Sequence, residues 1–212
     1  MEPRARPTEK WSTEQVLAAF AAVARPLFRR SYPANSCIAS SRIAIEVARR
    51  FGIQAKPLAA QLWVRNDRLT KLLETTPDPT RDQVEEWKRM GAAGMTIGIG
   101  QPARFENGEW NRHLVAVVQG RWLVDASIDQ GNEPGRLELP GVLIARLPQP
   151  ITTGPWTRSY WLLDGTRIDY TFDPAERSYR VAPDWHPRPV ADEVTEAVVG
   201  AMRSELAGHA AA

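Results

Sequence analysis

Three side chains suited to acyl-transfer chemistry occur in the order Cys37, His113, Asp125. Cys37, the only cysteine, lies in YPANSCIASSRIAIEVARRFGI, where a polar turn gives way to a helical pattern. A thiol attacks a carbonyl carbon as its thiolate, which a helix N-terminus, a nearby cation or an imidazole stabilises. Asn35 or Ser36 suits the N-cap, placing Cys37 in the first helical turn. There, unpaired backbone N–H groups and the positive end of the helix dipole favour an anion and could hold an oxyanion. The competing expectation is an inert, buried cysteine serving as a small apolar filler.

A nucleophile of this kind needs a base. Of the three histidines, His186 sits in the loop phrase DWHPRP and His209 in the C-terminal tail, whereas His113 opens an apolar run. The stretch HLVAVVQGRWLVDAS reads as a hairpin turning at Val118-Gln119-Gly120, a type I turn followed by Gly120 in the left-handed conformation. That turn sets Val117 opposite Arg121, Val115 opposite Leu123 and His113 opposite Asp125, with Cβ atoms about 5 Å apart. A two-residue loop would send Asp125 to the other face. With the three-residue loop, Cys37 attacks, His113 takes the thiol proton and returns it to the leaving group, and Asp125 orients the imidazole. Asn35 and Gln61 are candidates for a second oxyanion donor. Trp63, Trp110 and Trp122 lie in or beside the site segments and could wall a substrate groove; ordinary core packing is the alternative.

These residues need elements to position them. Ser12-Thr13-Glu14-Gln15 is a capping box opening a helix through Val16, Leu17, Phe20, Val23 and Ala24 that ends before Pro26. The second helix spans about 36–51, with Gly52 as its C-terminal cap. Ile43, Val47 and Phe51 form its apolar ridge, and Arg42, Glu46 and Arg50 make two i,i+4 pairs. Residues 55–64 look extended, and 66–75 and the run capped by Thr80 look helical. The Gly-rich GAAGMTIGIGQP leads into a strand over 95–99; its GIGQP lacks the Lys-Ser/Thr of a phosphate loop. Residues 66–111 read as a helical insertion that would cover the site. Strands follow at 141–147, YWLL and RIDYTF, the last two joined by Asp164-Gly165, and a helix over about 190–207 ends the pattern. The expectation is one α+β domain over 1–212, its core at about 12–180, with N-terminal helices on a largely antiparallel sheet.

The two site phrases together resemble the transglutaminase-like group of papain-like cysteine enzymes. In that group a cysteine begins a helix ending in a phrase like R-x-x-G-I-P-A-R, followed by a strand. NSCIASSRIAIEVARRFGIQAKPLAAQLW matches it with Arg49, Gly52, Ile53 and Ala55, and carries Lys56 where arginine is usual. The group's second phrase is a strand-opening histidine, alternating apolar residues and Trp-x-x-x-Asp; here His113, Trp122 and Asp125 stand in that order, tryptophan and aspartate one residue closer than in some members. Val115 replaces an aromatic residue common in the group, and Ala126-Ser127 replaces Pro-Thr or Pro-Ser. Arylamine acetyltransferases share the order, but their Arg-Gly-Gly approach to the cysteine is absent. The resemblance covers about residues 30–130. It implies a papain-like core and a Cys37–His113–Asp125 triad acting through an acyl-cysteine intermediate.

Bulk composition narrows the chemistry further. The chain has 212 residues, 43% hydrophobic and 25% charged, which is a globular composition. Twenty-seven basic and 25 acidic residues, net +2, give no nucleic-acid footprint. No run approaches the ~20 apolar residues that span a bilayer. The first residues, MEPRARPTEKW, lack the apolar core of a secretory signal, and a single cysteine forms no internal disulfide, so the expected location is cytoplasmic. No CxxC or Cys/His cluster calls for a metal, and no cofactor is implied. The expected activity is a thiol-dependent hydrolase of peptidase or amidase type, acting on a peptide or small acyl substrate. The alternatives are acyl or transglutaminase-type transfer on the same triad, and a non-catalytic binding module of the same fold. Nothing in the sequence speaks to oligomeric state.

Overall fold

A computed structural model describes residues 11–32, 36–106, 109–148 and 152–210. Helix α1 (Thr13–Ser31) opens with the expected capping box: the Ser12 hydroxyl accepts from Gln15 N–H, and the Gln15 side chain accepts from Ser12 N–H. It does not end before Pro26, which lies inside it. A proline in a helix interior costs about 3 kcal/mol. The turn beyond it is held from outside: Phe28 is fully buried, and Arg25 and Arg29 flank Pro26 and both pair with Asp129. Tertiary contacts outweigh the local penalty.

Helix α2 (Cys37–Arg50) starts at the cysteine, with Ser36 as N-cap. The Ser36 side chain makes no capping bond; its hydroxyl instead lies 3.5 Å from Arg25 Nη1. Asn35, the other N-cap candidate, lies outside the described residues. Gly52, at φ +71°, ends the helix as expected, and Ile53 N–H reaches back to Ala48 O at 2.9 Å. Ile43 and Val47 form the buried ridge, with Phe51 packed against the same cluster. Glu46 pairs with Arg50 at 3.1 Å and Arg49 at 2.5 Å, but the expected Arg42–Glu46 pair is not made. Arg42 turns outward from its own helix, donating to the His186 carbonyl at 2.8 Å and reaching Asp192 at 3.9 Å.

Next come β1 (Ala55–Arg65), α3 (Asp67–Thr75), α4 (Arg81–Arg89), β2 (Gly94–Ile97), β3 (Phe105–Glu106), β4 (Glu109–Trp110), β5 (His113–Val118) and β6 (Trp122–Asp125). A short 3-10 turn (Ile128–Gly131), β7 (Leu143–Arg146), β8 (Trp156–Trp161), β9 (Arg167–Asp173), two further 3-10 turns (Ser178–Val181 and Pro183–Trp185) and α5 (Pro189–Ala210) complete the chain. All strand pairings are antiparallel, in the order β7-β6-β5-β1-β9-β8, with β2 beside the second half of β1; β3 and β4 pair separately. Pro57 is tolerated in β1 because there the strand pairs only with β5, while β9 joins from Ala59 onward. The class is α+β. Segment 66–111 is not purely helical, since β2 joins the main sheet and ends at Ile97, just before Gly98 at φ +71°.

Alternation along the strands sorts the core into faces. Helices α1, α2 and α5 pack with Ala116, Val118 and Val124 on one side. Leu58, Leu62, Val115, Val117, Leu123, Ile168, Tyr170 and Phe172 fill the other. A third, smaller cluster joins Cys37 and Ile38 at the start of α2 to Ala59, Leu114, Trp110, Tyr179 and Ala182. No helix among the described residues is long and apolar enough to cross a membrane.

Candidate active site

The start of α2 is pinned to the start of β5. One turn after Cys37, the Ser41 hydroxyl donates to Leu114 O at 2.7 Å, and the Cys37 thiol lies 3.9 Å from Arg112 O. The sulfur therefore sits beside the strand end that carries His113. Cys37 retains 9% exposure, whereas His113 and Asp125 are fully buried.

The β5–β6 register differs from expectation by two residues. Val118 faces Trp122, and Val117 faces Leu123 rather than Arg121. The unpaired residues are Gln119, Gly120 and Arg121, and the turn is not type I: Gln119 (φ 48°) and Gly120 (φ 65°) are both left-handed, with Arg121 N–H bonded to Val118 O at 3.0 Å. A shift of two preserves the face. His113 and Asp125 are diagonal rather than directly opposed, and His113 Nε2 still lies 2.6 Å from Asp125 Oδ2.

Asp125 is surrounded by donors. Oδ2 also accepts from the Tyr170 hydroxyl at 2.7 Å, and Oδ1 accepts from Ser127 N–H at 3.1 Å and the Ser127 hydroxyl at 3.4 Å. Tyr170 was not singled out from the sequence. Its signal was its place between Ile168 and Phe172 on the apolar face of RIDYTF, since a buried tyrosine hydroxyl needs a partner. Its neighbour could not be foreseen, because β9 pairs with β1 and not with the hairpin.

These contacts set the charge state. Burial disfavours charge on His113, but the Asp125 carboxylate, and to a smaller degree the Cys37 thiol, outweigh it and raise the imidazole from 6.5 to about 10. Burial likewise opposes charge on Asp125, yet His113, Tyr170 and Ser127 hold its carboxyl below its ordinary 3.8. The other imidazole nitrogen, Nδ1, is buried and makes no hydrogen bond to a described residue.

A stability effect follows from the raised imidazole. Below pH 6.5 folded and unfolded chains both carry the His113 proton; between 6.5 and about 10 only the folded chain keeps it. Wild-type stability is expected to fall across that interval by up to about 1.4 kcal/mol per pH unit. Denaturant titrations should show a flatter profile for His113→Gln. The Asp125 contribution runs the other way: it is present above 3.8 and lost as pH falls through the lowered value.

Cys37 opens on a cavity of about 190 Å³, walled by Ile38, Ile97, Phe105, Trp110, Ala182 and Pro183, with Glu109, Arg112, Gln130 and Asp184 as its polar lining. Of the three tryptophans that could wall a groove, Trp110 lines this cavity while also packing in the cluster around Tyr179, its indole N–H donating to Ser178 Oγ at 2.8 Å. Gln61 and Trp63 do not line this cavity; Gln61 faces Thr171 across the sheet, and the Arg65 guanidinium lies 3.6 Å from the Trp63 ring centre. Trp122 is also elsewhere, under Arg146 at 4.4 Å. A larger hollow of about 740 Å³ at the other end of α2, lined by Arg49, Gly52, Lys56 and Gln119, contains none of the candidate groups. Among the described residues, no cluster is placed to hold a metal ion.

The Gly-rich segment acts as a brace for the site. Arg112, 7% exposed, donates to Gly98 O at 2.6 Å and to Gln101 O, tying the loop to the residue before His113. A Cβ on Gly98 would collide with Arg112 Nη1 and Asn111 O, and its backbone is left-handed. Gly98→Ala is expected to cost at least about 1–2 kcal/mol. Equilibrium unfolding checks this, and an unchanged midpoint would contradict it.

Fold and site together define a class: an α+β chain in which a helix-borne cysteine meets a buried histidine–aspartate pair on an antiparallel sheet. No family model, curated protein or solved structure matches the chain.

Proposed function

We propose that this protein is a thiol-dependent hydrolase of peptidase or amidase type, working through an acyl-Cys37 intermediate. One observation carries this reading: the His113 ring, at the strand end beside the Cys37 sulfur, is fixed through Nε2 to a buried carboxylate, and its Nδ1 has no hydrogen-bond partner among the described residues. The motif order, which resembles that of transglutaminase-like enzymes, supports it, as does the packing of the cysteine helix against the sheet bearing histidine and aspartate.

With His113 already holding its proton, the Cys37 sulfur reacts as the thiolate of a thiolate–imidazolium pair: it adds to the acyl carbonyl carbon and sends the carbonyl π pair onto oxygen. Re-formation of the C=O bond expels the amine or alkoxide, which takes the proton from His113. Water then attacks the thioester, giving its proton to His113; the C–S bond breaks, the carboxylic acid leaves and the thiolate–imidazolium pair is restored. Asp125 stabilises the imidazolium in both half-reactions. A second reading, transfer to an amine in place of water, is favoured by the mainly apolar wall of a small cavity, which limits water around the thioester.

The test is reaction with a panel of electrophilic acyl probes, followed by peptide mass mapping. An adduct confined to Cys37, lost in Cys37→Ser, is expected. Absence of adduct, or labelling that ignores the substitution, overturns the proposal. Adding an amine separates transfer from hydrolysis by the product formed.

A further inference from the structure

Stabilising a tetrahedral oxyanion takes two converging donors, and α2 supplies one. The first N–H to enter the α2 ladder is that of Ser40, bonded to Ser36 O at 2.8 Å, so the N–H groups of residues 37–39 precede the ladder. The Cys37 N–H is the donor nearest its own sulfur. Its partner must come from the cavity wall, whose polar side chains are Glu109, Arg112, Gln130 and Asp184, with the Trp110 indole beside them.

Four of these five are unsuitable. Glu109 and Asp184 are carboxylates and would repel a developing negative charge. Both terminal nitrogens of Arg112 are engaged by the carbonyls of Gly98, Asn111 and Gln101, and the Trp110 N–H is engaged by Ser178. Gln130 remains. Its side-chain amide makes no hydrogen bond to another described residue, although the residue is half-buried in the wall beside Cys37.

Its backbone is held on both sides. Gln130 N–H bonds Ser127 O at 3.2 Å, and Ser127 itself holds the Asp125 carboxylate. On one flank, Asp129 is fixed by Arg25 and Arg29; on the other, Gly131 packs so closely on Met95 that a Cβ would collide with its sulfur. A donor presented this rigidly needs little reorganisation when charge develops, which is what makes an oxyanion site effective.

We propose that Gln130 is a catalytic residue: its side-chain N–H, with the Cys37 backbone N–H, holds the oxyanion formed when Cys37 attacks an acyl carbonyl. This rests on the acyl-cysteine reading above and assigns to the turn after Asp125 a role for which the sequence offered Asn35 and Gln61 as candidates.

Two reactions of the same sulfur separate the possibilities. Acylation by p-nitrophenyl acetate passes through an oxyanion: the S–C bond forms, the π pair moves to oxygen, and collapse expels p-nitrophenolate. Alkylation by iodoacetamide displaces iodide at a saturated carbon and forms no oxyanion. Gln130→Met keeps the side-chain length and removes the donor; Gln130→Glu keeps the shape and adds a repelling charge. Nitrophenolate release should fall roughly 10²–10³-fold in Gln130→Met, and further in Gln130→Glu, with iodoacetamide rates within about twofold of wild type. Acylation unchanged in both variants, or acylation and alkylation falling together, overturns the assignment. Wild type that never acylates at Cys37 would instead overturn the acyl-cysteine reading itself. Melting curves of both variants identify any that fail to fold, and the other then carries the comparison.

Discussion

Asp125→Asn is expected to lower turnover of an activated ester by roughly 10³–10⁴-fold and stability by about 3–5 kcal/mol. The substitution is nearly isosteric, so its effect comes from charge and hydrogen-bond polarity. Every group facing the Asp125 carboxylate is a donor: His113 and Tyr170 at one oxygen, the Ser127 backbone and hydroxyl at the other. A carboxamide offers only one acceptor oxygen. Either orientation points its NH₂ at groups that can only donate or must turn away, inside a pocket with no exposure. The imidazolium also loses the carboxylate that raised it. Tyr170→Phe removes a single donor and should cost only about 1–2 kcal/mol. Ester kinetics and urea unfolding measure both effects, and an Asn variant within tenfold of wild type would contradict this account of the pair.

The second large effect concerns stability outside the reacting groups. Asp129, fully buried at its side chain, pairs with Arg25 at 2.6 Å and with Arg29. Arg25 also reaches the Ser36 hydroxyl, so one ion pair links α1, the N-cap of α2 and the turn after Asp125. Asp129→Asn leaves the Arg25 guanidinium buried without a counter-charge, at an expected cost of about 3–5 kcal/mol. Replacing both partners with apolar residues of similar size, as in Arg25→Met with Asp129→Leu, should recover much of that loss, because desolvation of the two ions is avoided as well. Urea midpoints for single and double variants test this. A double variant no more stable than Asp129→Asn would show that the cost lies in the turn's shape rather than in an unpaired charge.

Much of the site was legible because local signals specify it. The Ser12 and Thr80 capping boxes and the Gly52 cap depend on residues within one turn of each other, and each formed as expected. The side-chain alternation of β5 and β6 put His113 and Asp125 on one face, although the turn was misassigned. The error came from Gln119, a residue that seldom adopts a left-handed backbone, so Val118 was assigned to the loop instead of the ladder. The end expected at Pro26 was wrong because Asp129, far along the chain, holds the turn beyond it. Trp63 and Trp122, which could have walled a groove, lie instead under the guanidinium groups of Arg65 and Arg146. Tyr170, Arg112 and Gln130 escaped notice for a common reason. Each is brought beside the site by pairings that only the folded sheet supplies.

The most direct measurement is the rate of Cys37 alkylation by iodoacetamide near pH 6.5, in wild type and in His113→Ala. An ordinary thiol is only about 1% ionised there, whereas a cationic ring at the sulfur favours negative charge on it. Wild type is expected to react at least about tenfold faster than the variant. Equal rates would mean that the imidazole does not act on the thiol, and the enzymatic reading would give way to a binding module with an inert cysteine.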